Sequence, residues 1–459
     1  MIQKFRIKNG LDIPLKGEAG KITKNSIESS FCYIYPDDYA GFVPRIAVKS
    51  GDKVIAGTAV LYDKNCPSLK IASPVSGEVI AVNRGEKRKL ESIVISVDGK
   101  KEFVDFGKKN VAAMSPVEVK TALAEAGLLA LFRQRPYDTV VNPEDTPRDI
   151  FVSGFYSAPL APDFDYIVRE NEADFQTGLE ALAQITGGNV YVGIRSGGAV
   201  SFYDSVKTAK IQTVEFEGAH PAGNVGVQIN RIKPVNKGET VWTVQPHEAI
   251  IIGRFFNKGA VDLTRMVALT GQEVNENARA YYPMLPGLSI EKLVEGNVSG
   301  NISLRYISGN VLTGTQITSN GYLHARDNQL TVIPEGDDAH ELFGWIMPRL
   351  KQFSVNRSYP APWLNIFSKK NYSVDARIKG GRRAMIMSNE WDKVLAMNDI
   401  LPEFLIRAIL ANNITQMENL GIYEVAPEDF ALCEFVDTSK MELQKIVREG
   451  LDFLKKEMA

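Results

Sequence analysis

The chain has 459 residues, too many for one ordinary hydrophobic core, which implies about three or four domains. With 44% apolar and 24% charged residues it has the composition of a soluble globular protein. A formal net charge of −2 removes any general electrostatic case for nucleic acid or an acidic membrane surface as partner.

The N-terminus, Met1 to Arg6, carries two positive charges with no apolar core behind them, which excludes a signal peptide. Phe5 to Ile7 reads as a short amphipathic strand, and Gly10 to Leu15 as extended and turn-rich. From Val43 onward apolar residues alternate between glycine turns, at Val48–Gly57 and again at Ile71–Val79, a pattern that predicts a small β-sandwich or barrel. The pair of half-repeats is similar to the biotinyl/lipoyl-type barrel-sandwich hybrid. Lys64 and Lys70 stand where carriers of that kind present their attachment lysine, but no Met-Lys-Met surrounds them, so a domain kept for its shape is expected. Asn83 to Lys89 forms a basic loop, read as a solvated charge run or a docking loop for an anionic partner.

Ser115-Pro116-Val117-Glu118 is a capping box with proline at the first helical position, and Val119, Ala122, Leu123 and Ala126 continue it as a helical stripe up to Gly127. Residues 148–260 then alternate β-type runs (Ile150–Val152, Val190–Ile194, Thr213–Phe216) with helical stretches (Asn171–Ile185, Glu248–Phe256). That alternation predicts an α/β layer on a mainly parallel sheet. At its centre, strand-like runs feed glycine turns at Ser196–Gly198 and Glu217–Asn224, a way to bring backbone N–H groups near an anion or a flat ring. The spacing is not G-x-G-x-x-G, so the nicotinamide-binding fingerprint is absent.

From Arg265 to Gly314, strands surround the short amphipathic Ile290–Val294, which suggests a β-grasp module. Residues 330–380 are rich in aromatics (Phe343, Trp345, Phe353, Tyr359, Trp363, Phe367, Tyr372) interspersed with Arg349, Lys351 and Arg357, read as a satellite core or a partner- or quinone-facing surface. The tail is helical: Pro402 opens one segment, and Ser439–Glu442 caps another with Leu443, Ile446, Val447, Leu451 and Leu454 on one face. The expected division is 1–110, 111–260, 261–335, 336–390 and 391–459.

Cys32, Cys66 and Cys433 form no C-x-x-C, so cysteine alone draws neither a zinc site nor an iron–sulfur cluster, and the odd, sparse count fits a reducing compartment. No apolar run reaches the 18 residues that would suggest a membrane span. The four histidines, His220, His247, His324 and His340, lie at no metal-ligand spacing, and only His220, beside Pro221-Ala222-Gly223, has a suggestive setting. Without a P-loop, H-E-x-x-H or Ser/His/Asp arrangement, a component of a larger complex is favoured over a self-sufficient enzyme.

Seven segments in order carry a resemblance: Lys8–Pro14, Gly77–Val79 with Asn83–Gly85, Leu131–Pro136, His220–Gly223, Ser308–Gly314, Glu341–Trp345 and Phe353–Ser358. The chain resembles, nearly end to end, the A subunits of the bacterial sodium-translocating NADH:quinone oxidoreductases. More distantly it is similar to the C subunit of the Rnf complex and to the NADH-binding flavoprotein of respiratory complex I. The resemblance implies an α/β multidomain protein: a barrel-sandwich hybrid, a Rossmann-like α/β domain, an SLBB-type β-grasp module and a helical C-terminal region. In the distant relatives a glycine loop after Glu-Ala-Gly lets flavin and nucleotide approach the backbone. Here Glu125-Ala126-Gly127 is kept and bulky Leu131-Phe132-Arg133-Gln134-Arg135-Pro136 follows. Their C-terminal cysteine cluster is reduced to Cys433, with Asp437 where a second cysteine often stands.

The resemblance thus implies a peripheral subunit on the cytoplasmic side of the bacterial inner membrane, holding neither FMN nor an iron–sulfur cluster. Five other subunits would carry the flavins and NADH oxidation, and the complex would use NADH, Na+ and a ubiquinone or menaquinone. Phe132, Arg133, Arg135 and His220 are the expected quinone-binding residues, an apolar wall with a few donors suiting a quinone head group. The competing expectations are a purely structural scaffold and a stand-alone NADH flavoenzyme.

Overall fold

The N-terminal strand leaves the β-rich region that follows it. In the computed structural model, which describes residues 2–198, 209–337, 353–355, 371–378, 385 and 388–458, β1 (Gln3–Arg6) pairs in parallel with a strand more than 200 residues away. The barrel-sandwich hybrid comes next. Its strands are β2 (Phe31–Ile34), β3 (Pro44–Ile46), β4 (Lys53–Val54), β5 (Ala59–Asp63), β6 (Lys70–Ala72), β7 (Gly77–Arg84) and β8 (Leu90–Val97). They form two sheets, ordered β2-β8-β7-β4 and β3-β5-β6, and enclose Val60, Leu61, Val79, Ile93 and Ile95.

Helix α1 (Pro116–Glu125) begins as its box requires: Ser115 Oγ accepts from the Glu118 N–H, and the Glu118 carboxylate accepts from the Ser115 N–H at 2.7 Å. It ends where Gly127 turns left-handed with φ of 72°. The short antiparallel pair β9 (Arg133–Arg135) and β10 (Thr139–Val140) precedes the main sheet.

That sheet is built from β11 (Ile150–Ser153), α2 (Phe164–Arg169), α3 (Glu172–Ile185), β12 (Val190–Arg195), β13 (Ile211–Glu217), α4 (Val225–Ile232), β14 (Val241–Val244) and α5 (Pro246–Lys258). The seven strands run β1-β13-β12-β11-β14-β9-β10, the first five parallel and the last two antiparallel. The chain therefore leaves β11 in one direction, through β12 and β13, then crosses back to place β14 on its other side. In open α/β sheets such a reversal leaves a crevice at the carboxyl ends of the two strands, where ligands bind.

The β-grasp module follows with β15 (Arg265–Thr270), β16 (Tyr281–Met284), α6 (Glu291–Val294), β17 (Leu304–Ser308), β18 (Thr315–Ile317) and β19 (Gln329–Pro334), in the order β16-β15-β19-β17-β18. The C-terminal region is helical: α7 (Pro402–Leu410), α8 (Ile414–Asn419), α9 (Ala431–Val436) and α10 (Leu443–Met458). Val447, Leu451 and Leu454 bury the face of α10 expected from their spacing. Its first turn is held by the Glu434 carboxylate, which accepts from the Gln444 N–H at 3.0 Å. Of the aromatic stretch, Phe343, Trp345, Tyr359, Trp363 and Phe367, with Arg349, Lys351 and Arg357, lie outside the described residues. Phe353 packs against Tyr372 at 5.7 Å and Phe435 at 6.4 Å between ring centroids.

Helices α3 and α5 cross on one face of the sheet with no room between their backbones. A Cβ on Gly253 would stand 1.7 Å from the Asp174 carbonyl oxygen, and one on Gly178 would stand 2.0 Å from that of Ala249. Gly253→Ala should therefore destabilise the fold by about 1–3 kcal/mol, read as a lowered urea midpoint, despite the better intrinsic helix propensity of alanine.

Candidate functional site

A cavity of about 400 Å³ opens at the crevice between β11 and β14. Ser153 and Val244, at the ends of those strands, form its floor. Asn310 and Asn328 of the β-grasp module face them, and Glu428 and Arg448 of the C-terminal region close the side. Three parts of the chain thus meet where the sheet topology places a ligand.

Three of the four expected residues, Arg133, Arg135 and His220, line this cavity, and Phe132 does not. Side chains alternate across a strand, so Arg133 and Arg135 share one face while Phe132 points to the other. Phe132 is fully buried and meets Trp242 edge-on at 5.6 Å. It is part of the core beneath the wall. The preceding residues Leu128–Leu131 form a buried 3-10 turn, so the stretch compared with a flavin-admitting glycine loop is filled with side chains.

Arg133 fastens the wall to the barrel-sandwich hybrid, donating to the Asp38 carbonyl at 2.7 Å and the Ala40 carbonyl at 3.4 Å. Burial, with Arg326 nearby, brings its pKa down to about 10, so it remains a cation at neutral pH. Arg135, only 1% exposed, faces Asp429 at 3.2 Å and Glu428 at 3.3 Å, and donates to the Glu424 carbonyl at 3.2 Å. Burial works against the Arg135 charge, but the Asp429, Asp138 and Glu428 carboxylates together outweigh it and hold the guanidinium above its ordinary range. Glu428 is 42% exposed, and partial burial with neighbouring Asp429 raises its carboxyl above the ordinary range.

His220 sits in a turn clasped from two sides. Its N–H donates to Asp12 Oδ1 at 2.9 Å, and its carbonyl accepts from the Leu11 N–H at 2.7 Å. Its Nδ1 lies 2.9 Å from Ser157 Oγ, which also accepts from the Gly223 N–H at 2.8 Å. Burial lowers the imidazole pKa to about 4, so His220 is neutral at pH 7.

Residue spacing points to none of Tyr156, Asn328, Glu428 or Arg448, which come from distant parts of the chain and meet only in the folded form. Cys433 is buried 3.8 Å from the Trp391 carbonyl, and the Asp437 carboxylate accepts from the Met441 N–H at 2.8 Å. Among the described residues, no group of three or more His, Cys, Asp or Glu could hold a metal ion.

Fold and site together define a multidomain α/β protein in which a doubly wound sheet has its crevice closed over by a β-grasp module and a helical C-terminal region. Family models described as the NqrA N-terminal barrel-sandwich hybrid domain, the NqrA second alpha/beta domain and the NQRA C-terminal domain match residues 5–98, 114–261 and 266–319. The A subunit of the Na(+)-translocating NADH-quinone reductase of Serratia proteamaculans is 34% identical over 458 residues, covering 99% of this chain and all of that one. The proteins of the same name from Neisseria meningitidis serogroup A and Yersinia pseudotuberculosis serotype O:1b are each 34% identical, over 457 and 459 residues, with 99% of this chain and 100% of theirs covered. The chain belongs to this family, the A subunits of the Na(+)-translocating NADH-quinone reductases.

Two outcomes follow from the buried groups. Arg135→Ala leaves Asp429 buried without its cation and should cost about 3–5 kcal/mol, measured by chemical unfolding at pH 7. For His220, the unfolded chain takes up a proton below pH 6.5 that the folded form refuses until about pH 4, so stability falls as pH drops through that window. Wild type should lose about 2 kcal/mol more than His220→Gln between pH 7 and pH 5, read from paired urea titrations.

Proposed function

We propose that this chain is a peripheral subunit of a sodium-translocating NADH:quinone oxidoreductase and contributes a quinone-binding site at the crevice between β11 and β14. Five partner subunits would carry the flavins and the oxidation of NADH, and the chain would sit on the cytoplasmic side of the bacterial inner membrane. Among the described residues no helix is long and apolar enough to cross a membrane, which fits peripheral attachment.

The observation that carries the quinone reading is the cavity itself. Its 400 Å³ suits a substituted ring, and the wall mixes apolar surface from Ala158, Pro162 and Val225 with the donors Arg133 and Tyr156. A quinone is planar and offers two carbonyl acceptors, and negative charge builds on those oxygens as it is reduced. Fixed cations and hydrogen-bond donors around a desolvated pocket favour that charge. Glu428 lines the same cavity, and its upward-shifted carboxyl suits it to hand a proton to the reduced oxygen.

A scaffold without a quinone site is the second reading, favoured by the fact that Arg133 and Arg135 already direct donors to protein partners. Titration of a short-chain ubiquinone into the purified full chain separates the two. Saturable binding that weakens about tenfold in Arg133→Ala, the effect of losing a hydrogen bond to a charged group, is expected for a quinone site. No saturable binding, or quinone reduction unchanged in an assembled complex carrying Arg133→Ala, would leave the scaffold.

A further inference from the structure

Tyr156 lines the cavity, and its hydroxyl ends a chain of hydrogen bonds whose direction is set from the far end. Arg265, almost fully buried on β15, places Nη1 3.4 Å from His247 Nε2. A guanidinium can only donate, so His247 Nε2 must accept, and the ring proton of the neutral imidazole is left on Nδ1. Burial, with Arg265 and Arg326 beside it, keeps His247 well below the usual imidazole range and hence neutral. Nδ1 lies 2.9 Å from Tyr156 Oη and donates to it. The Asn328 amide nitrogen, 3.5 Å from the same Nδ1, donates instead to the Tyr156 oxygen at the much shorter 2.8 Å.

Both lone pairs of the Tyr156 oxygen are therefore filled by donors, and its own O–H finds no acceptor among the described residues. Its ring is edge-on to Phe164 at 6.4 Å and the residue lines the cavity, so the O–H proton left without a protein acceptor is available to a ligand there. Burial pushes the hydroxyl above its ordinary range, so it keeps that proton and acts as a donor.

We propose that Tyr156 is the residue that recognises the quinone carbonyl in this cavity, donating an O–H hydrogen bond aimed by His247, Asn328 and Arg265. The assignment rests on the quinone reading of the cavity. Tyr156 touches the ligand, and the other three position it. The bond tightens as the carbonyl oxygen gains charge, so it favours the reduced over the oxidised quinone.

The test uses the purified full chain and a short-chain ubiquinone labelled with carbon-13 at its carbonyls. Binding is titrated and the carbonyl stretch is read by infrared difference spectroscopy, for wild type and Tyr156→Phe. The wild type is expected to shift the stretch of one carbonyl to lower frequency than in an apolar solvent. Tyr156→Phe, which keeps the ring, is expected to abolish that shift and weaken binding about tenfold. An analogue without the carbonyl oxygens should bind equally to both proteins. Equal shift and equal affinity in Tyr156→Phe would overturn the assignment and leave the quinone reading standing. Absence of wild-type binding would overturn both. Should Tyr156→Phe fail to fold, the wild-type spectrum decides: an unshifted carbonyl overturns the proposal.

Discussion

Arg135 carries a positive charge into a region that water scarcely reaches, on the short strand β9 that closes one side of the parallel sheet. A charge there is tolerable only where carboxylates meet it, and both carboxylates come from the opposite end of the chain, at Glu428 and Asp429. Asp429 in turn lies against α4, where a Cβ on Gly226 would approach its oxygen to 2.5 Å. The ion cluster fixes the helical C-terminal region to the α/β sheet at one register, and the cavity wall follows from that register.

The surrounding contacts repeat this pattern. Arg133 reaches the Asp38 and Ala40 carbonyls of the barrel-sandwich hybrid, Arg326 of the β-grasp module reaches Glu248 on α5 at 3.1 Å, and Arg448 on α10 donates to the Tyr137 carbonyl at 2.6 Å. Each cation belongs to one part of the chain and its acceptor to another. The crevice that doubly wound sheets leave open is here roofed by modules tied on through arginines. What remains is the cavity of about 400 Å³.

Much of this is legible in the sequence wherever the determining contacts are local. The box at Ser115 and Glu118, the turn at Gly127, the strands Val190–Arg195 and Arg265–Thr270 and the apolar face of the last helix depend on neighbours within a few residues, and all stand where spacing puts them. The wall residues Arg133 and Arg135 and the turn at His220 stand out because bulky or special residues occupy glycine-prone positions. Phe132 falls in with them by adjacency in sequence, yet strand alternation sends it to the opposite face. Pairing of β1 with β13, and the run from Arg265 through His247 to Tyr156, leave no local trace. Each joins residues from 18 to more than 200 positions apart through contacts that only the folded chain creates.

The most direct measurement is photochemical labelling of the full chain with an azido-quinone, followed by mapping of the modified peptides. Labels within residues 153–162 and 220–225, suppressed by excess short-chain ubiquinone, are the result expected of a ligand seated at the carboxyl ends of β11 and β14. Suppressible labels confined to the barrel-sandwich hybrid, or no suppressible label at all, would contradict a quinone site at the crevice.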